Sequence, residues 1–202
     1  MRNSMFASHV VLSLLALVFV VPASTYAAAQ HGFGLQISDY GVSDEATERT
    51  FDIDSGPIPQ AYYRFQTGAH SVFAGIGIES WDRSEPFVSN SLDFITLFAN
   101  YRYLPWHDKP VSLFVGGGLA YIIYDANLAS GSTIEAQTGL VLSVEPLVGV
   151  EFMANRKIRL GLEAKYSEQL LSTEDFDDLA AFTDVDLGGF YATFSVSFMF
   201  GD

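Results

Sequence analysis

The 202 residues contain no cysteine, which excludes thiol catalysis, cysteine-ligated iron–sulfur chemistry and any disulfide scaffold, and is compatible with an oxidising compartment. Positive charge is scarce as well. Ten Lys and Arg stand against 24 Asp and Glu, a formal net charge of −14. Phosphate binding draws its affinity from clustered basic residues, so a nucleic-acid partner is excluded. Long apolar runs are missing too: 49% of the residues are hydrophobic, yet past the N-terminus no run approaches the roughly 20 residues of a transmembrane helix. The apolar residues must therefore be spread over short elements, and the length suits one domain.

The N-terminus reads as an address. Arg2 gives a weakly positive start, Val10 to Val21 an apolar core broken by Pro22, and Ala27-Ala28-Ala29 a small-residue cleavage site before Gln30. This is the order of a secretory signal peptide. Residues 1–29 are expected to be removed, leaving 30–202 as the folded domain.

From Gly32 onward the pattern has a period of two, enriched in β-branched and aromatic residues, which predicts strands. Eight segments are expected: Gly32 to Tyr40, Ile58 to Gln66, Val72 to Trp81, Leu92 to Tyr103, Ser112 to Tyr124, Gly139 to Phe152, Ile158 to Glu168 and Gly188 to Phe200. Connections after the second, fourth and sixth are short: Thr67 to Ser71, Leu104 to Val111 and Met153 to Lys157. Those after the odd segments read as long polar loops: Gly41 to Pro57, Asp82 to Ser91, Asp125 to Thr138 and Gln169 to Leu187. Alternating short and long connections, with segments long enough to cross hydrocarbon, predict an all-β, antiparallel, eight-stranded up-and-down transmembrane barrel. Its short turns would be periplasmic and its long loops extracellular.

Each segment carries two chemistries. In the seventh, Ile158, Leu160, Leu162, Ala164 and Tyr166 fall on one face, and Arg159, Gly161, Glu163 and Lys165 on the other. In the last, Phe190, Ala192, Phe194, Val196, Phe198 and Phe200 oppose Tyr191, Thr193, Ser195, Ser197 and Met199. With apolar faces toward lipid, the inward set collects Arg64, Arg102, Arg159 and Lys165 beside Glu79, Glu145, Glu151 and Glu163. Buried charges need partners, so a salt-bridged internal network is expected, acting as filling rather than as an ion path. Glycines such as Gly75, Gly77, Gly116, Gly118, Gly149 and Gly161 would make room for it. Tyr101, Tyr103, Trp106, Tyr121, Tyr124 and Tyr166 lie toward segment ends, as an interfacial aromatic girdle would. A soluble, lipocalin-like barrel is the rival, with apolar side chains turned inward around a ligand.

With strand count, loop alternation and the closing segment Gly189-Phe190-Tyr191-Ala192-Thr193-Phe194-Ser195-Val196-Ser197-Phe198-Met199-Phe200 in view, the chain resembles the small outer-membrane barrels typified by OmpX and the transmembrane domain of OmpA. The resemblance implies bacterial outer-membrane localisation, contact with membrane lipid and lipopolysaccharide, insertion by the barrel-assembly machinery and a monomeric state. No cofactor or resident metal is expected.

Catalytic chemistry finds little support. Lipid A deacylase barrels carry a His-x-Ser-Asn signature, and the nearest stretch here, Lys165-Tyr166-Ser167-Glu168, lacks the histidine and asparagine. His31, His70 and His107 fall at the periplasmic end, so Ser167 has no base. The fourth long connection is strongly acidic, and Glu174, Asp175, Asp177 and Asp178 form a possible cation-contacting loop without EF-hand spacing. The leading expectation is a non-enzymatic barrel that anchors acidic extracellular loops for surface interaction or envelope integrity. The alternatives are a narrow channel for ions or small solutes and a lipid A-modifying enzyme.

Overall fold

A computed structural model describes residues 29–42, 57–85, 88–130, 133–173 and 187–201. Eight strands follow one another: β1 Gln30–Val42, β2 Pro57–Thr67, β3 His70–Glu85, β4 Val88–Tyr103, β5 Val111–Ser130, β6 Thr133–Met153, β7 Ile158–Thr173 and β8 Gly189–Phe200. Each pairs antiparallel with its neighbours in sequence, and β1 pairs with β8 from His31↔Phe200 to Val42↔Gly189, closing the barrel. Closure leaves no sheet edge, the condition a sheet must meet in hydrocarbon, where water cannot satisfy free backbone groups.

The short connections are tight turns. Gly68 takes a φ of 55° between β2 and β3, a left-handed conformation that costs a side-chain-bearing residue. Gly68→Val is expected to lower stability by about 1–2 kcal/mol, read as a lower urea midpoint with an unchanged slope. At the β6–β7 turn the Asn155 side chain accepts hydrogen bonds from the Lys157 and Ile158 amides at 2.8 and 2.9 Å.

Two of the expected long loops are strand instead. The β3–β4 ladder runs to Glu85↔Val88, and the β5–β6 ladder to Ser130↔Thr133. Asp82 to Ser91 and Asp125 to Thr138 therefore belong almost wholly to hairpins that continue past the apolar belt. Backbone pairing does not need lipid, whereas the apolar alternation that marks a strand in sequence stops where hydrocarbon stops. The first and fourth long connections, 43–56 and 174–186, lie outside the described residues.

Prolines interrupt the ladder in two places. The β2–β3 pairing ends at Gln60↔Gly77, below Pro57 and Pro59. Between β6 and β7, pairing stops at Val144↔Glu168 and resumes at Leu147↔Lys165, around Pro146, with a register shift at Leu142/Ser143. Proline has no N–H to give a ladder.

The two faces separate cleanly. Outward side chains include Phe33, Leu35, Ile37, Leu113, Val148, Leu162, Phe190, Phe194 and Phe198, each about half exposed or more. An apolar surface continuous around a barrel is untenable in water and natural in lipid. Inward side chains are buried and include the ionised groups as well as aromatic rings, which disposes of the lipocalin-like orientation. Tyr101 and Tyr103 face outward near the end of β4, Trp106 is exposed in the β4–β5 turn, and Tyr166 faces outward midway along β7, which runs on past its expected end. Tyr124 is a correction to the expected girdle: it is 1% exposed, because it shares the inward parity of Ala120 and Ile122.

Candidate functional site in the barrel interior

Inward parity brings charges from β2, β4, β6 and β7 into one column. Nearest the short turns, Glu151 is held between two arginines. Arg64 meets it through Nη1 at 2.5 Å and Nη2 at 3.1 Å, and Arg159 Nη1 donates to it at 2.7 Å. Arg64 also donates to Ser71 Oγ at 3.0 Å and Gln66 Oε1 at 2.6 Å, while Arg159 reaches Gln30 Oε1 at 3.2 Å. All three side chains are essentially inaccessible, and only such multidentate geometry offsets the cost of taking charges from water.

Above this triad, Arg102 Nη2 lies 2.8 Å from Glu163 Oε2. Neither Glu163 oxygen has an aligned hydrogen bond, so the contact is an ion pair without a formed donor–acceptor line. The guanidinium carbon sits 3.7 Å from the Phe73 ring centre and 4.7 Å from that of Phe114. Stacking on both rings suits the planar, weakly hydrated guanidinium. Higher again, Lys165 Nζ donates to both Glu145 oxygens at 3.0 Å and lies 4.4 Å from the Tyr191 ring centre.

Seven of the eight interior charges expected from sequence are thus drawn into ion pairs within the lumen. Glu79 is not among them: it accepts a hydrogen bond from Trp81, leaves Oε2 buried without a partner, and is the only half-buried member of the set. Glu174, Asp175, Asp177 and Asp178 lie outside the described residues.

Neutral rungs complete the packing. Tyr62 OH bonds Ser197 Oγ at 2.7 Å, Ser38 Oγ bonds Thr193 Oγ1 at 2.8 Å, and the Gln36 amide donates to Gln60. The inward glycines give these groups space, since a Cβ on Gly34 would run into Tyr62, on Gly118 into Asn100 and on Gly149 into Phe114. Ser167 is fully buried and its Oγ has no partner. His31 and His70 face outward at the short-turn end, bonded to Tyr63 and Tyr101, on the opposite side of the wall from Ser167.

The outer half of the lumen departs from the expected charge network. It holds an apolar, aromatic cluster that includes Tyr40, Trp81, Phe94, Tyr124 and Tyr191. Leu187, arriving from the fourth connection, seals it from above: Tyr40 OH donates to its carbonyl at 2.7 Å, and its amide donates to Gln169 Oε1 at 3.3 Å. The signal lies in the inward parity of these aromatics, which charge counting passes over.

A family model for the outer membrane protein beta-barrel domain matches residues 13–198. Among solved structures, a major outer membrane protein of Thermus thermophilus shares 15% identity at a TM-score of 0.59, with 86% of this chain and 100% of that chain covered. Ail, the attachment invasion locus protein of Yersinia pestis, shares 12% identity at a TM-score of 0.52, covering 87% and 100%. At such identities the likeness speaks for the fold. Among curated proteins no sequence relative matches.

Proposed function

We propose, from the premise that this chain belongs to the outer membrane protein beta-barrel domain family and resides in the bacterial outer membrane, that its barrel is a non-enzymatic anchor presenting acidic extracellular segments for surface interaction or envelope integrity. The observation that carries this reading is the packed lumen. Three stacked ion-pair groups, Glu151 with Arg64 and Arg159, Glu163 with Arg102, and Glu145 with Lys165, fill the section that a solute would have to cross. Specificity then resides outside the wall, in segments that a rigid scaffold holds in place.

The charge distribution supports the same reading. Lys109, Arg156 and Lys157 belong to the short turns, whereas the outward carboxylates Asp39, Asp82, Asp93, Asp125 and Glu168 ring the other end and are exposed. On this reading the first 29 residues are removed in transit, the assembly machinery inserts the barrel, and the monomer lies against lipid and lipopolysaccharide.

Purified protein in planar bilayers is expected to give no discrete conductance steps at moderate voltage. Reproducible unitary steps that vanish on neutralising Lys165 and Glu145 together would overturn the anchor reading in favour of a channel. Unchanged lipid A acyl chains in cells with and without the protein are the matching expectation against the hydrolase alternative.

A further inference from the structure

Among the described residues, the lumen contains one acid that its ion-pair column does not use. Glu79 lies above that column, facing a wall of aromatic rings. Tyr191 and Tyr40 stack with centroids 4.4 Å apart, Tyr40 and Trp81 follow at 5.8 Å, and Phe94 tilts against Trp81 at 4.8 Å. The Trp81 indole donates to the carboxylate, and Oε2 is left buried without a partner. A lone carboxylate beside aromatic faces is the arrangement that recognises an organic cation, whose charge is satisfied by the acid and whose methyl or methylene groups lie on the rings. A metal ion is a poor fit, since hard cations require six or more oxygens and one carboxylate stands here.

Beside Glu79 the β2–β3 ladder has ended at Gln60↔Gly77, and Pro57 and Pro59 on the facing strand offer no N–H to Ile78–Ser80. The wall next to the acid therefore lacks ladder pairing between β2 and β3, and Glu79 is half-buried where the other inward charges are buried. The exposed outer carboxylates Asp39, Asp82, Asp93, Asp125 and Glu168 set a negative field that concentrates cations at this end.

We propose that Glu79 with Trp81, Tyr40 and Tyr191 forms a binding site for a small organic ammonium group, free or carried on a lipid headgroup, entered at the proline-interrupted β2–β3 seam. Below it lies the Glu145–Lys165 pair, so the site does not open into a path through the lumen.

The protein carries its own reporter, because it has two tryptophans and the other, Trp106, is exposed in the β4–β5 turn. In a Trp106→Phe background, in maltoside micelles, the emission of Trp81 is followed while choline is added. A parallel titration uses 3,3-dimethylbutanol, the uncharged isostere, and a third adds a phosphocholine lipid to the micelles. A saturable change with choline assigns the free ion, and a change with the lipid alone assigns the headgroup. In either case Glu79→Gln, close in volume and checked for folding by heat-dependent gel mobility, is expected to weaken the response by about tenfold or more as the charge is lost. No response to either ammonium source, an equal response to the neutral isostere, or an undiminished response in folded Glu79→Gln overturns the proposal.

Discussion

Glu151→Ala is expected to destabilise the barrel by about 3–5 kcal/mol, the cost of leaving buried charges uncompensated. Two guanidinium groups, Arg64 and Arg159, converge on that carboxylate, and Arg64 is completely inaccessible. Removing Glu151 strands both. Arg159→Met should cost less, because Arg64 keeps its partner and Arg159 lies closer to the short-turn end, where Gln30 already shares its contact. Simultaneous replacement of Arg64, Glu151 and Arg159 by methionines is expected to recover most of the loss, since apolar residues of similar volume can replace a buried ionic cluster at little net cost. Urea unfolding in lipid vesicles, followed by gel mobility, checks all three. If Glu151→Ala cost no more than an exposed substitution, the interior would be hydrated enough to screen the arginines, and the packed-lumen argument for the anchor reading would fall with it.

An arginine on the lipid face is expected to show a strong dependence on depth. Leu162 is the middle of the five apolar outward residues from Ile158 to Tyr166 in β7 and is 49% exposed on the barrel surface. Leu162→Arg should cost about 2–4 kcal/mol, as for a charge held at the bilayer midplane. Val111, at the short-turn end of β5 and equally 49% exposed, should tolerate arginine at about 0–1 kcal/mol, because its guanidinium reaches the headgroups. Equal costs at the two sites, measured by the same unfolding equilibrium, would show that this surface does not face hydrocarbon. Accessibility alone cannot separate the positions. The difference comes wholly from the solvent on the far side of the wall.

Particular elements show how much of the chain is legible without coordinates. β7 and β8 can be read almost residue by residue, because alternation in Ile158–Tyr166 and Phe190–Phe200 leaves no charged residue on the lipid side. The eight inward charges follow from the same parity. The outer ends of β3–β4 and β5–β6 escape such a reading, since Asp82, Asp93 and Asp125 end the apolar pattern while backbone pairing goes on. Ring chemistry near a strand end puts Tyr124 on the girdle, but its register turns it inward. The aromatic chamber under Leu187 is hidden for a related reason: alternation says that Tyr40, Trp81 and Tyr191 point inward, but not that strands far apart in sequence set them side by side.

By itself the sequence determined the class of solution: strand period, strand number, and an inward set whose charges balance. Those are local properties, written within ten or so neighbouring residues and enforced by a solvent that accepts no unpaired backbone group. Only the closed barrel decided who meets whom. Partner choice depends on the stagger between strands, which no single strand carries; it joined Glu151 to Arg64 and Arg159, gave Glu145 to Lys165 and Glu163 to Arg102, and left Glu79 facing aromatic rings beside a seam that two prolines keep from closing with hydrogen bonds.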